Sequence, residues 1–214
     1  MRPNGLPAAV TITATILATL AGCGEEAPAG RVSVLTAQET KSTAPDGKAM
    51  PDWNVTNAPH VTSMTSQLGK AACEGGAKPT CTGARYMGTS TFKRSDQAQI
   101  VFWVTAFTSE AAAKAAYGAN RSWYSRSIAE PKNIDLGSLG DRRDGVQGGV
   151  GYEKGDQVGA YAQVRGGTCI AAFTVHESGA GPIDDELVKD LATMLTKRVR
   201  QAQNGDRPSA KLES

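Results

Sequence analysis

A chain of 214 residues, 40% hydrophobic and 21% charged, has the composition of one soluble globular domain with short appendages. Its 23 basic and 21 acidic side chains give a net charge of +2, and loss of residues 1–22 would remove only Arg2 from that balance. Such near-neutrality supplies no general attraction for nucleic acid or for an anionic membrane surface.

The first 22 residues carry one early positive charge, Arg2, and a largely apolar run from Leu6 to Leu20. That run is too short for a bilayer span of about 20 residues and suits the core of a signal peptide. It ends in Leu20-Ala21-Gly22-Cys23, which resembles the lipobox of bacterial lipoproteins: an aliphatic residue, two small residues, then cysteine. The resemblance implies a diacylglycerol thioether on Cys23, cleavage between Gly22 and Cys23, and attachment to the outer face of the cell membrane. Two acyl chains anchor stably where one does not, because each buried methylene contributes about 0.8 kcal/mol. The expected layout is a signal peptide over 1–22, a lipidated N-terminus and flexible tether over 23–31, an extracytoplasmic domain over 32–203 and a disordered tail over 204–214.

Within the domain, Val32, Val34 and Leu35 suggest a short element before a turn at Pro45-Asp46-Gly47. Val61–Ala72 reads as a short helix or an irregular segment. Ala84–Lys93 and Gln97–Phe107 are strand-like runs joined by a hairpin turn at Arg94-Ser95-Asp96. The second run is apolar on both faces, with Ile100, Phe102, Val104 and Ala106 on one and Val101, Trp103 and Phe107 on the other, as expected of a central, covered strand. Thr108-Ser109-Glu110 offers an N-cap and an acidic first turn for a helix through about Tyr124, with Ala112, Ala116, Ala119 and Trp123 at helical spacing. Pro131 and the glycine-rich Gly137–Gly151 suggest a long loop or an irregular strand.

Gln157–His176 reads as a hairpin about a Gly166-Gly167 turn. That turn pairs Val164 with Cys169, Ala162 with Ala171, Ala160 with Phe173 and Val158 with Val175, all apolar and on one face. Tyr161, Gln163, Arg165, Thr174 and His176 occupy the other, wetter face. A last helix over about Ile183–Gln203 opens with Asp184-Asp185-Glu186, closes with Lys197, Arg198 and Arg200, and buries Leu187, Leu191, Met194 and Leu195. The order predicts an α+β fold: an antiparallel sheet of about five strands with at least two helices packed on it.

With Cys23 lipidated, an oxidising compartment leaves three cysteines, of which two are expected to pair. A Cys73–Cys81 bridge around a loop-like insert is favoured over a bridge to Cys169, which falls on the apolar hairpin face as a small hydrophobe. No cysteine or histidine pair has metal-ligand spacing, so neither metal nor cofactor is expected.

The order of elements resembles the extracellular sensor domain of certain actinobacterial receptor serine/threonine kinases and the related cell-envelope lipoproteins. The features that carry it are Val34-Leu35-Thr36, Phe107-Thr108-Ser109 before an alanine-rich helix, Leu139-Gly140-Asp141, Val164-Arg165-Gly166-Gly167, and Leu191 to Val199, spanning about residues 32–200. Members of that group typically have two disulfides, whereas three mature cysteines permit one. The resemblance implies a binding or sensing module with a cleft.

Catalytic patterns are sparse. His176 and Glu177 are neighbours on a strand and point to opposite faces, which separates them as an acid–base pair. Ser138 lacks nucleophile-elbow spacing, and Asp141-Arg142-Arg143-Asp144 could hold an anion or a metal, although such loop charges are usually solvated. Trp53, Trp103, Trp123 and Tyr124 could line an apolar pocket, core packing being their commoner use, and Trp103, Trp123 and Tyr161 are the candidate pocket residues. The expectation is a non-enzymatic, membrane-tethered binding or accessory module. Its partners are membrane lipid through Cys23 and an envelope protein or a small apolar ligand. The alternative is a protein–protein adaptor without a small ligand.

Overall fold

Seven antiparallel strands and four helices make up the described part of the chain in the computed structural model, which covers residues 33–74, 81–94, 98–126, 128–150, 157–177 and 181–213. The expected signal segment, Cys23 and the tether lie outside the described residues, as do the side chains of Cys73 and Trp123. The strands are β1 (Asn54–Ser63), β2 (Ala84–Arg94), β3 (Ala98–Phe107), β4 (Ala129–Asn133), β5 (Arg142–Val150), β6 (Gln157–Gly166) and β7 (Cys169–Glu177). The helices are α1 (Ala37–Thr43), α2 (Gln67–Glu74), α3 (Glu110–Ser125) and α4 (Asp185–Gln203). Strand order is β1-β2-β3-β7-β6-β5-β4, so two meanders meet along the β3–β7 seam. The α+β class is as the sequence predicts, with two strands more than expected. No described helix is long and apolar enough to cross a membrane.

One sheet face carries the main core. Ile100, Phe102 and Val104 of β3 are wholly buried there with Ala162 of β6 and Val175 of β7. Phe92, Phe102 and Phe173 form a row across three strands, with successive ring centroids 5.8 Å apart. Leu35, ahead of α1, and Val188, Leu191, Met194 and Leu195 of α4 close this face. Each such large side chain contributes roughly 1.5–3 kcal/mol on burial. The termini of both helices are specified locally. Thr36 and Glu39 make a reciprocal capping box for α1, and the Asp184 side chain accepts the Glu186 N–H to start α4.

The hairpin of β6 and β7 has a register two residues away from the expected one. Gly166 pairs with Cys169, Val164 with Ala171 and Ala162 with Phe173, and the turn is Gly167-Thr168, with Gly167 at φ +51°. Because side chains alternate with period two, a two-residue slide leaves every residue on its expected face. Outside contacts hold the turn there. The Gly167 N–H donates to Asp141 Oδ2 (2.9 Å), the Asp141 N–H to the Arg165 carbonyl (2.8 Å), and the Thr168 hydroxyl to the Ser33 carbonyl (3.1 Å). The described chain thus joins the sheet at its hairpin-turn end.

Three further expectations change. The glycine-rich stretch contains a regular strand, β5, paired along β6. Its glycines admit close neighbours: a Cβ at Gly148 would collide with the Ala129 carbonyl of β4. Val61–Ala72 divides between the end of β1 and α2. The C-terminal segment is folded rather than loose: after Gly205 it runs back along α4, Leu212 is buried in the main core, and its N–H donates to the Ala49 carbonyl (2.8 Å). Gln201 holds the returning chain through Ser209, and Arg198 through Ala210.

Candidate functional site: an aromatic cleft

The second sheet face is only half covered. The Ser109 hydroxyl caps α3 by accepting the Ala112 N–H, and the helix then lies across Phe107 and Ile170 on Ala113, Ala116 and Tyr117. The buried stripe is rotated from the expected line of Ala112, Ala116, Ala119 and Trp123, since Ala113 and the large ring of Tyr117 share the buried face with Ala116. Tyr124, two turns further on, shares the face of Tyr117. Beyond it the helix ends, and β4 begins at Ala129 on the sheet's far edge. The uncovered part of the sheet is a partly open cleft of about 320 Å³. Its lining comprises Val101 and Trp103 of β3, Tyr124 of α3, Ile128, Val150 of β5, Gly159, Ala160 and Tyr161 of β6, and Thr174 and His176 of β7.

Three aromatic rings form one wall. Tyr124 stacks on Tyr161 with centroids 4.0 Å apart and planes 14° from parallel, and Trp103 meets Tyr124 at 5.8 Å and 47°. Trp103 remains half-buried, whereas Tyr161 is wholly covered. Beneath them runs a buried polar chain. The Tyr161 hydroxyl donates to Gln163 Oε1 (2.7 Å), Gln163 Nε2 donates to the Tyr117 carbonyl (3.2 Å), and the Tyr117 hydroxyl donates to the Gln163 carbonyl (3.3 Å). Tyr161, Gln163 and Thr174 are all buried, so this face is not the wetter one its polar residue types suggest. Helix α3 covers it, and the polar groups at Tyr161, Gln163 and Tyr117 satisfy one another.

The cleft is uncharged near neutral pH. Burial pushes the Tyr124 hydroxyl up to about 12 and raises that of Tyr161 well above its usual value. Burial also lowers the His176 imidazole, favouring its neutral form. Among the described residues the lining contains no carboxylate, lysine or arginine.

Of the candidate pocket residues, the structure brings Trp103 and Tyr161 into one cleft. Trp123 lies in α3, with its side chain outside the described residues. Trp53 is instead buried in the main core, with the Arg94 guanidinium 4.8 Å from its ring centroid. The Asp141–Asp144 run is spent on structure: Asp141 pairs with Arg165 and Asp144 with Arg121, each at 3.1 Å, while Arg142 lies over the Tyr117 ring. Among the described residues no three His, Cys, Asp or Glu side chains cluster to hold a metal. Cys169 is a buried free thiol that burial pushes up to about 12, and Cys81 is not free. Ile128, Val150, Thr174 and His176 were not anticipated as cleft residues. Only the alternation of Thr174 and His176 on β7, in line with Tyr161 across the sheet, carried a signal for them.

No protein-family model matches the chain, and no curated protein matches it in sequence. Among solved structures it is similar to the extracellular domain of PknH from Mycobacterium tuberculosis, at 12% identity and a TM-score of 0.45, over 81% of this chain and 93% of that one. At that score the likeness carries no argument about function.

Proposed function

We propose that this protein is a lipid-tethered binding module of the cell envelope that holds an uncharged, largely apolar small molecule in the cleft without altering it chemically. The observation that carries this reading is the cleft itself: about 320 Å³, walled by Trp103, Tyr124 and Tyr161, and left open by a helix that stops halfway across the sheet. Concave, apolar sites with a few placed polar groups are where small molecules bind. Burial holds the cleft's tyrosines protonated and its histidine neutral, which suits retention of a ligand rather than acid–base work on it. The anchor is Cys23, which carries a diacylglycerol thioether and becomes the N-terminus on cleavage after Gly22, and a Cys73–Cys81 bridge secures the insert ahead of β2.

The test of binding uses the uncharged fluorophore N-phenyl-1-naphthylamine. Saturable binding to one site is expected, and Val101→Trp, which fills the cleft from β3, abolishes it. Absence of saturable binding to the wild-type protein leaves the adaptor reading in its place. Anchoring is tested separately: Cys23→Ala abolishes labelling by a fatty-acid analogue, and undiminished label refutes the anchor. Non-reducing peptide mapping that links Cys169 to either other cysteine refutes the bridge.

A further inference from the structure

Two polar side chains of the cleft lining, Thr174 and His176, stand on β7 between the strands that carry Trp103 and Tyr161. Thr174 and His176 alternate on β7 and so point the same way, with their Cα atoms about 7 Å apart. Neither the Thr174 hydroxyl nor the His176 ring has a hydrogen-bond partner among the described residues, and neither is a sealed, orphaned group. By contrast, the Tyr161 hydroxyl beside them is committed to Gln163. On the neighbouring strand β3, paired with Ala172 and so diagonal to Thr174, stands Trp103, half-buried and tilted 47° from Tyr124, with ring surface that the Tyr124–Tyr161 stack does not use. A site of about 320 Å³ holds roughly ten water-sized groups, the size of a two-ring molecule.

Resting on the binding reading above, we infer that the ligand is an uncharged, planar ring compound bearing a hydroxyl or carbonyl at one end, its ring against Trp103 and its polar end at Thr174 and His176. An aromatic contact adds about two- to tenfold in affinity beyond the burial of area. A hydrogen bond to the Thr174 hydroxyl or the His176 ring adds a similar factor. A simple alkyl chain gains only the burial. A carboxylate meets no cation in the lining and must be desolvated without compensation.

The experiment is competition against bound N-phenyl-1-naphthylamine on the full mature chain, using 2-naphthol, naphthalene, 1-decanol and 2-naphthoate. 2-Naphthol is expected to compete about tenfold better than naphthalene and better than 1-decanol, with 2-naphthoate the weakest. Thr174→Val and His176→Leu each shrink the gap between 2-naphthol and naphthalene, and Thr174→Ser retains it, which keeps the test decisive if the valine variant is poorly folded. Equal competition by 2-naphthol and naphthalene overturns the polar end, and a gap unchanged in both variants overturns its assignment to β7. Stronger competition by 1-decanol overturns the ring, and stronger competition by 2-naphthoate overturns the neutral ligand. In all of these outcomes the fluorophore still binds and the cleft reading stands. Failure of the fluorophore to bind at all removes both.

Discussion

Replacement of Arg198 by methionine is expected to destabilise the domain by about 3–5 kcal/mol. Arg198 is buried on α4, and its guanidinium donates to the carbonyls of Thr43 (2.9 Å), Ser42 (2.8 Å), Ala44 (3.3 Å) and Ala210 (2.9 Å). The first three lie at the C-terminal end of α1, where helix geometry leaves carbonyls without intrahelical donors and concentrates partial negative charge. Burial lowers the arginine's pKa while the charge of Asp46 opposes that shift, so the cation is held chiefly by backbone oxygens. Methionine replaces much of the aliphatic stem but strands four acceptors. Hydrogen bonds to a charged group are worth about 1.5–3 kcal/mol each, and the recovered desolvation of the guanidinium offsets part of their sum. Urea unfolding is the assay. With a slope near 2 kcal/mol/M the midpoint should fall by about 1.5–2.5 M. Deletion of residues 205–214, which removes the Ala210 carbonyl and Leu212, should destabilise less in the Arg198→Met background than in the wild type. A midpoint within about 0.5 M of wild type for Arg198→Met would refute the reasoning.

Three other outcomes follow from the geometry. Gln163→Leu strands the Tyr161 hydroxyl and removes the side-chain bond to the Tyr117 carbonyl, and should cost about 1–3 kcal/mol, part of which Tyr161→Phe restores in the double variant; simple additivity by urea unfolding would argue against the shared network. The Cys169 thiol ionises near 12 when folded but near 9.0 when free, so the unfolded state loses its proton first and stability falls as pH rises above 9, by up to about 1.4 kcal/mol per unit. Cys169→Ala should flatten the profile between pH 9 and 10, and an unchanged slope there would assign the proton elsewhere. His176 has a lowered pKa when folded, so below about 6.5 the unfolded state binds more protons and stability declines with falling pH. His176→Gln should lessen that decline between pH 7.5 and 5, and a variant as acid-sensitive as wild type contradicts the assignment.

Sequence pattern located the elements that bury one clear face. β3, apolar on both sides, is central; Ser109 caps α3; and α4 begins and ends on the expected charges. It failed where burial is not what forms the element. β1 is largely exposed, is interrupted by Pro59 and is held by pairing to β2, while β5 reads as a loop or an irregular strand because its glycines make room for β4. The hairpin slid by two residues because alternation fixes faces but not position along the strand, and the position was set by Asp141 and Ser33, which are remote in sequence. The site was half legible for a related reason. Residue type marked Trp103 and Tyr161 as aromatic anchors, but whether a polar face is wet depends on what lies over it. The helix that dries Tyr161 and Gln163 also stops short of Val101 and His176.

The place where the chain joins the sheet gives the cleft a direction. Ser33 is held at the Gly167-Thr168 turn, whereas His176 and its neighbour Gly159 mark the other end of the same hairpin, seven residues or about 24 Å away along β6. The described chain therefore enters at one end of the β6–β7 hairpin, and the His176 side of the cleft lies at the other. For the experimenter, a label placed at Ser33 reports on the turn end of the hairpin and leaves the residues around His176 untouched.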